Sequence, residues 1–146
     1  MEDDTAAWRR QRSDALAARA AALDRKREAE TAQARKLLAE FVDELVRLGI
    51  PPSRLRARVP ERRVTYRTGI SGWYLRRNRS LGVDVHGAFY VLDTPWSLRS
   101  RLFGADVSPS DPPLTVGAGA RDGESMPLAR LLQLRLEEIR DEQRNT

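Results

Sequence analysis

The stretch ARKLLAEFVDELVRLGIPP, residues 34–52, decides the fold. Leu37, Leu38, Phe41, Val42, Leu45, Val46 and Leu48 recur at helical spacing and make one broad apolar face. Gly49 follows as the residue best suited to a left-handed helix cap, and Pro51 and Pro52 forbid continuation. A helix therefore ends near residue 48, and its apolar face must bury against chain that comes later.

Upstream, residues 2–48 contain neither Gly nor Pro and are rich in Ala, Leu, Arg, Glu and Gln, mostly strong helix formers. The pattern predicts one helix from about residue 4 to 48, with a candidate break near Thr31. At about 1.5 Å per residue such a helix is about 67 Å long, more than a domain of this size covers. Residues 1–33 are thus read as a projecting Ala- and charge-rich helix, and residues 34–146 as a single α+β domain. Leu16, Ala20, Leu23, Arg27, Glu30, Ala34, Leu37 and Phe41 follow the alternating four-and-three spacing of a coiled-coil seam. Arg27 and Glu30 interrupt it and Ala fills it weakly. Leu16, Ala20 and Leu23 are therefore candidate partner-helix contacts for a weak homo- or hetero-oligomer, not for a strong zipper.

Downstream, Ser53 to Arg63 is short of apolar residues and loaded with Arg, and reads as a connector or one helical turn ending at Pro60. Strand patterning starts at Val64, where Val64, Tyr66 and Thr68 alternate with Thr65 and Arg67, punctuated by Gly69 and Gly72. Trp73 and Leu75 face one way, Tyr74 and Arg76 the other. Leu81–Val85 and Ala88–Leu92 flank His86-Gly87 as a tight hairpin. Thr94-Pro95 reads as the cap and first position of a short helix that stops at Gly104, with Trp96, Leu98, Leu102 and Phe103 as its apolar positions. Leu114–Val116 makes a short strand. Ser125 reads as the cap of a last helix with Pro127 in its first turn and Leu128, Leu131, Leu132, Leu136 and Ile139 on its apolar face. The fold class is α+β: a long N-terminal helix, a small antiparallel sheet of three to four strands, a short helix and a C-terminal helix.

Charge is placed unevenly along the 146 residues, whose formal net charge is +5. Residues 1–50 are neutral, residues 51–101 carry +8 and residues 102–146 carry −3. The densest part holds Arg54, Arg56, Arg58, Arg62, Arg63, Arg67, Arg76, Arg77 and Arg79 against one acid, Glu61, with Tyr66, Trp73 and Tyr74 interleaved. Nucleic-acid binders combine cations for phosphates with aromatic rings for bases. Those nine arginines with Tyr74 are the candidate nucleic-acid-binding set; Trp73 fits a core better. The same charge suits an acidic protein partner, including the chain's own Glu137, Glu138, Asp141 and Glu142.

Much is excluded. The chain has no Cys, hence no disulfide and no thiolate metal site, and its one histidine, His86, rules out any site needing two. Asp84, His86 and Asp93 make a weak ligand set, and neither a metal nor a cofactor is expected. The loop from Gly117 to Gly123 lacks both the dinucleotide and the P-loop glycine patterns and reads as a plain turn. No nucleophile elbow occurs, so a small enzyme is only a remote alternative. No run approaches the roughly 18 apolar residues of a membrane span. The acidic start MEDD is the wrong charge for a secretory or transit leader. The expectation is a non-catalytic cytoplasmic binding module with no membrane partner, contacting nucleic acid or a ribonucleoprotein through its Arg-rich, aromatic-containing surface. The alternative is a protein–protein adaptor or assembly factor acting through the long helix.

Overall fold

The helix upstream of Gly49 forms without a break at Thr31. In the computed structural model, which describes residues 2–117 and 125–146, α1 spans Glu2–Arg47, 46 residues and about 69 Å of axis. Glu2, Asp3 and Asp4 in its first turn complement the positive end of the helix dipole. At the other end Gly49 takes φ +73°. The Ile50 N–H donates to the Leu45 carbonyl and the Gly49 N–H to the Val46 carbonyl, each at 3.0 Å, which satisfies carbonyls that the helix end leaves unpaired. Residues 2–30 of α1 are exposed throughout, and burial begins at Ala34 and continues through Leu38, Phe41, Val42 and Leu45.

The sequence reading missed the next element. Ser53–Val59 is a strand, β1, not a connector: Leu55, Ala57 and Val59 are buried while Arg54 and Arg56 are exposed. That alternation is strand-like, but three arginines among seven residues hide it. β2 runs unbroken over Val64–Tyr74, through both of the glycines read as punctuation. β3 (Leu81–Asp84) and β4 (Phe89–Val91) complete an antiparallel sheet in the order β1-β2-β3-β4. Gly72 lies opposite Asp84, and a Cβ there would sit 2.0 Å from the Val83 carbonyl oxygen, so this close approach requires glycine.

The sheet curls until its ends meet. Beyond β4, the Leu92 N–H donates to the Ser80 carbonyl at 2.8 Å, while the Leu92 carbonyl accepts the Arg58 N–H at 2.8 Å. The Thr94 N–H donates to the Arg58 carbonyl at 2.9 Å, so residues 92–94 run parallel to β1 and join the two edges into a small barrel. Closure removes edges that would otherwise pair with other chains.

The short helix, α2, is Leu98–Phe103. Its cap is Ser97, whose hydroxyl accepts the Ser100 N–H at 3.2 Å, rather than Thr94, and none of its residues is buried. β5 (Thr115–Val116) pairs with β6 (Met126–Pro127), a partner strand the sequence did not announce. α3 is Leu128–Arg144; Pro127 precedes it and makes no side-chain cap, so Ser125 does not serve as one.

Two cores result. Inside the barrel lie Leu55, Ile70, Tyr90 and Leu92, and nearer its end Ala57, Val59, Tyr66 and Ala105. Outside it, Trp73, Leu75, Leu81, Val83 and Phe89 pack against Leu38, Phe41 and Leu45 of α1 and Leu128, Leu131, Leu132 and Ile139 of α3. β3 at Leu81–Val83 and β4 at Phe89 and Tyr90 are therefore covered on both faces, which explains their nearly continuous apolar sequence, while Val91 is left exposed.

The buried and projecting parts of α1 should respond differently to truncation. Leu38→Ala, at a fully buried position, is expected to cost about 2–5 kcal/mol in urea unfolding. Leu16→Ala, at a side chain 58% exposed, should stay within about 0.5 kcal/mol. An equal loss at both sites would show that the upstream helix is buried in solution. Glu44 supplies a pH test. Its carboxyl is held below the usual value by the hydrogen bond from Arg47, opposed by partial burial and reinforced by the Arg47 charge and by Arg140 of α3, 3.0 Å away. A depressed folded pKa contributes stability that is present above the unfolded value near 4.5 and lost as pH falls through the folded one. Glu44→Gln should flatten the acid limb of the stability profile below about pH 4.5 and leave the neutral limb's slope unchanged.

Candidate nucleic-acid interface

Burying Leu55, Ala57 and Val59 inside the barrel turns Arg54, Arg56 and Arg58 outward together. In the β1–β2 register Arg56 stands directly opposite Arg67, and Arg58 opposite Thr65. Opposed residues of an antiparallel pair share a face, so the Arg56–Arg67 pairing sets like charges side by side. The chain ties both down without a carboxylate. Arg56 Nε donates to Thr65 Oγ1 at 2.8 Å and its Nη2 to the Thr65 carbonyl at 3.3 Å, while Arg67 Nη2 donates to the Leu102 carbonyl at 3.5 Å.

Arg58 differs. Its Nε and Nη2 donate to the two carboxylate oxygens of Asp93 at 2.5 and 3.3 Å, in a half-buried pair. Asp93 lies on the segment that closes the barrel, so Arg58 is first a structural residue.

Tyr74 and Arg79 act as a unit. The Tyr74 hydroxyl accepts the Arg56 backbone N–H at 2.9 Å, and the Arg79 guanidinium lies over the ring, 5.4 Å from its centroid. Arg79 adopts φ +63° in the turn after Tyr74. Arg62 lies over the Trp96 ring at 5.5 Å, a pairing hidden in the sequence by the distance between the two residues. Arg56, Arg58, Arg62, Arg63, Tyr74 and Arg79 converge on one cleft of about 230 Å³, whose wall also includes Glu61 and Asn78. Among the described residues, Arg62, Arg63 and Arg79 have no carboxylate within ion-pair distance.

The other sequence candidates lie elsewhere. Arg54 is exposed at the start of β1, opposite Ser71. Arg67 turns toward α2. Arg76 lines a separate, more apolar cleft with Leu81, Phe89 and Val91. Arg77 pairs with Glu138 of α3 at 3.2 Å, so one acid of the last helix does take an arginine of the block. Tyr66 is buried and its hydroxyl accepts the Ser97 N–H at 2.8 Å, anchoring α2. Trp73 is in the core, with an indole N–H that finds no partner among the described residues. Leu16, Ala20 and Leu23 are exposed along the projecting part of α1.

Asp84 shapes the β3–β4 turn. Its Oδ1 accepts the His86 and Ala88 N–H groups, both at 2.9 Å, and its Oδ2 accepts the Tyr90 hydroxyl at 3.0 Å. Burial pushes the Tyr90 phenol above its usual pKa, and the bond to the Asp84 carboxylate adds to the shift. Among the described residues no group of three or more His, Asp or Glu side chains is placed to hold a metal ion. In the loop from Gly117 to Gly123, residues 118–123 lie outside the described residues. No helix among the described residues is long and apolar enough to cross a membrane.

Comparison with known proteins found no matching family model, curated protein or solved structure.

Two of the arginines should separate by stability. Arg58→Met leaves the half-buried Asp93 carboxylate without its main cation and is expected to cost about 1–3 kcal/mol in urea unfolding. Arg63→Ala, at an exposed position, should change stability by less than about 0.5 kcal/mol. Equal costs would contradict the closing role of the Arg58–Asp93 pair.

Proposed function

We propose that this chain is a non-catalytic cytoplasmic module that binds single-stranded nucleic acid, free or within a ribonucleoprotein, through the cleft between the β1–β2 turn and the Tyr74–Arg79 turn. One observation carries the reading: five arginines of the basic block, with Tyr74, line that single cleft. Guanidinium groups fit phosphate oxygens in a planar, two-point geometry that a lysine cannot supply. The stacked pairs refine the class of ligand. Arg79 over Tyr74 and Arg62 over Trp96 each place a guanidinium above a ring, 5.4 and 5.5 Å from its centroid. Such planes take unstacked bases, which single strands offer and duplexes do not.

The assignment of roles follows. Arg62, Arg63 and Arg79 contact phosphates or bases. Arg56 contributes from the cleft floor while its backbone N–H fixes the Tyr74 hydroxyl. Arg58 sets the cleft's shape through Asp93. Arg54, Arg67, Arg76 and Arg77 extend the positive field and steer the ligand in.

A second reading, an adaptor acting through α1, is favoured by a different observation. The exposed Leu16, Ala20 and Leu23 continue the helical seam that becomes buried at Ala34. A partner helix laid there would extend the packing that α3 already makes on the same helix.

Binding of a mixed single-stranded oligonucleotide, followed by fluorescence anisotropy across a salt series, tests the first reading. Engagement of four phosphates gives a slope of log K against log salt of about −3, and Arg62→Ala with Arg63→Ala should reduce its magnitude by about 1. A binding constant that does not vary with salt, or a double variant that matches the parent chain, would refute the cleft as the interface.

A further inference from the structure

The eight residues from Trp96 to Phe103 leave four large apolar side chains in solvent: Trp96 is 46% exposed, Leu98 59%, Leu102 61% and Phe103 79%. Scattered exposed leucines need no explanation, but a cluster of this kind does. The cluster is not loose chain. Its start is pinned by the Ser97 N–H donating to the Tyr66 hydroxyl at 2.8 Å, and its end by the Ala105 N–H donating to the Arg67 carbonyl at 2.7 Å. Gly104, at φ +86°, lets the chain pass so near that a Cβ would meet the Arg67 carbonyl oxygen at 2.8 Å. Backbone contacts thus fix α2 above β2 while every one of its side chains stays unburied.

Cations are interleaved with these apolar groups. Arg99 and Arg101 are exposed on α2 itself, Arg62 stacks on Trp96, and Arg67 reaches the Leu102 carbonyl. No acid occurs from Thr94 to Ala105; Asp93 before it is paired with Arg58, and Asp106 follows it.

We propose that α2 is a docking element for the anionic surface of a lipid bilayer. Charge complementarity and the mixing of cationic with apolar side chains select this partner. A protein covering Leu98, Leu102 and Phe103 would also have to strip water from the guanidinium groups lying between them, at a cost that only well-placed carboxylates repay. A bilayer interface imposes no such cost. Arginines with long apolar stems stay at the level of the phosphates while the neighbouring rings and leucines sink into the acyl boundary. The high exposure of Leu98, Leu102 and Phe103 agrees, because protruding side chains enter a deformable medium without a preformed groove. The negative potential of a phospholipid surface adds attraction for each arginine near it. The expectation that no membrane is involved came from the missing span, and lying on a surface makes no demand for one.

Co-sedimentation of the full chain tests this with two kinds of vesicle. One is phosphatidylcholine alone; the other is phosphatidylcholine with an equal part of phosphatidylglycerol. The chain is expected to sediment with the anionic vesicles and not with the neutral ones. The double variant Leu102→Gln, Phe103→Gln keeps every charge and should lose about tenfold or more in vesicle affinity, while its oligonucleotide binding stays at the parent value. Sedimentation with neither vesicle overturns the proposal. So does equal vesicle binding by parent and variant, which would reduce the effect to the attraction of the arginine block alone. A parent chain that ignores vesicles but self-associates through Leu102 and Phe103, as read by sedimentation velocity, would assign the patch to a protein contact instead.

Discussion

Arg56 and Arg67 face each other across β1 and β2, and much of the molecule follows from that arrangement. Two like charges on opposed positions oppose the pairing that brings them together. They are held there because the other face of the same residues' strands carries Leu55, Ala57 and Tyr66, each almost wholly buried. A shift of register by one residue would put that apolar set into water. The interior of the barrel therefore dictates where the arginines stand. Among the described residues neither guanidinium meets a carboxylate: one turns to Thr65, the other to a backbone carbonyl of α2. The charge stays at the surface, where Arg56 is exposed.

The long helix obeys a separate constraint. Its last three turns are fixed by the apolar contacts of Leu38, Phe41, Val42 and Leu45 with the outer face of the sheet and with α3. Among the described residues no buried apolar cluster includes the part before Ala34, where even Trp8 is 58% exposed beneath an Arg12 guanidinium 5.4 Å away. Nucleation is the costly step of helix formation, and one end anchored in a core supplies the nucleus from which the remainder propagates. None of the residues lining the arginine cleft belongs to α1. The rod and the cleft are thus separate surfaces.

Legibility in the sequence tracked the strength of local physics. The end of α1 was readable to within about a residue because Gly49 and two prolines specify a termination, and the hairpin around His86-Gly87 was readable from its flanking apolar runs, although its strands stop at Asp84 and resume at Phe89. β1 was not. Its buried set is Leu55, Ala57 and Val59, and against Arg54, Arg56 and Arg58 the composition reads as solvated loop although the period of two is intact. β6 escaped because two residues, one of them proline, carry no periodicity at all. At the site, the arginine block was legible as charge but not as geometry. That Arg58 belongs to Asp93 and Arg77 to Glu138 depends on barrel closure and helix packing, which bring together residues far apart in the chain. The pairing of Arg62 with Trp96 was lost for the same reason.

The exposure of α2 follows from a similar conflict between levels. Read as a sequence, Trp96, Leu98, Leu102 and Phe103 look like the buried face of a short helix. A helix of six residues, however, has little room for a buried face, and here the backbone at both ends is committed to β2. Ala105 enters the barrel in its place, with Val107 packed beside it, and fills the space that a larger side chain from α2 would need. The apolar side chains are thus excluded from the core by geometry rather than by chemistry. Arg62 then links the two exposed surfaces, since it lines the cleft and covers one face of Trp96. A ligand that drew Arg62 fully into the cleft would uncover that ring, whereas one that buried Trp96 would remove a cation from the cleft. Among the described residues, Arg62 is thus the one side chain that belongs by position to both the cleft and the exposed cluster around α2.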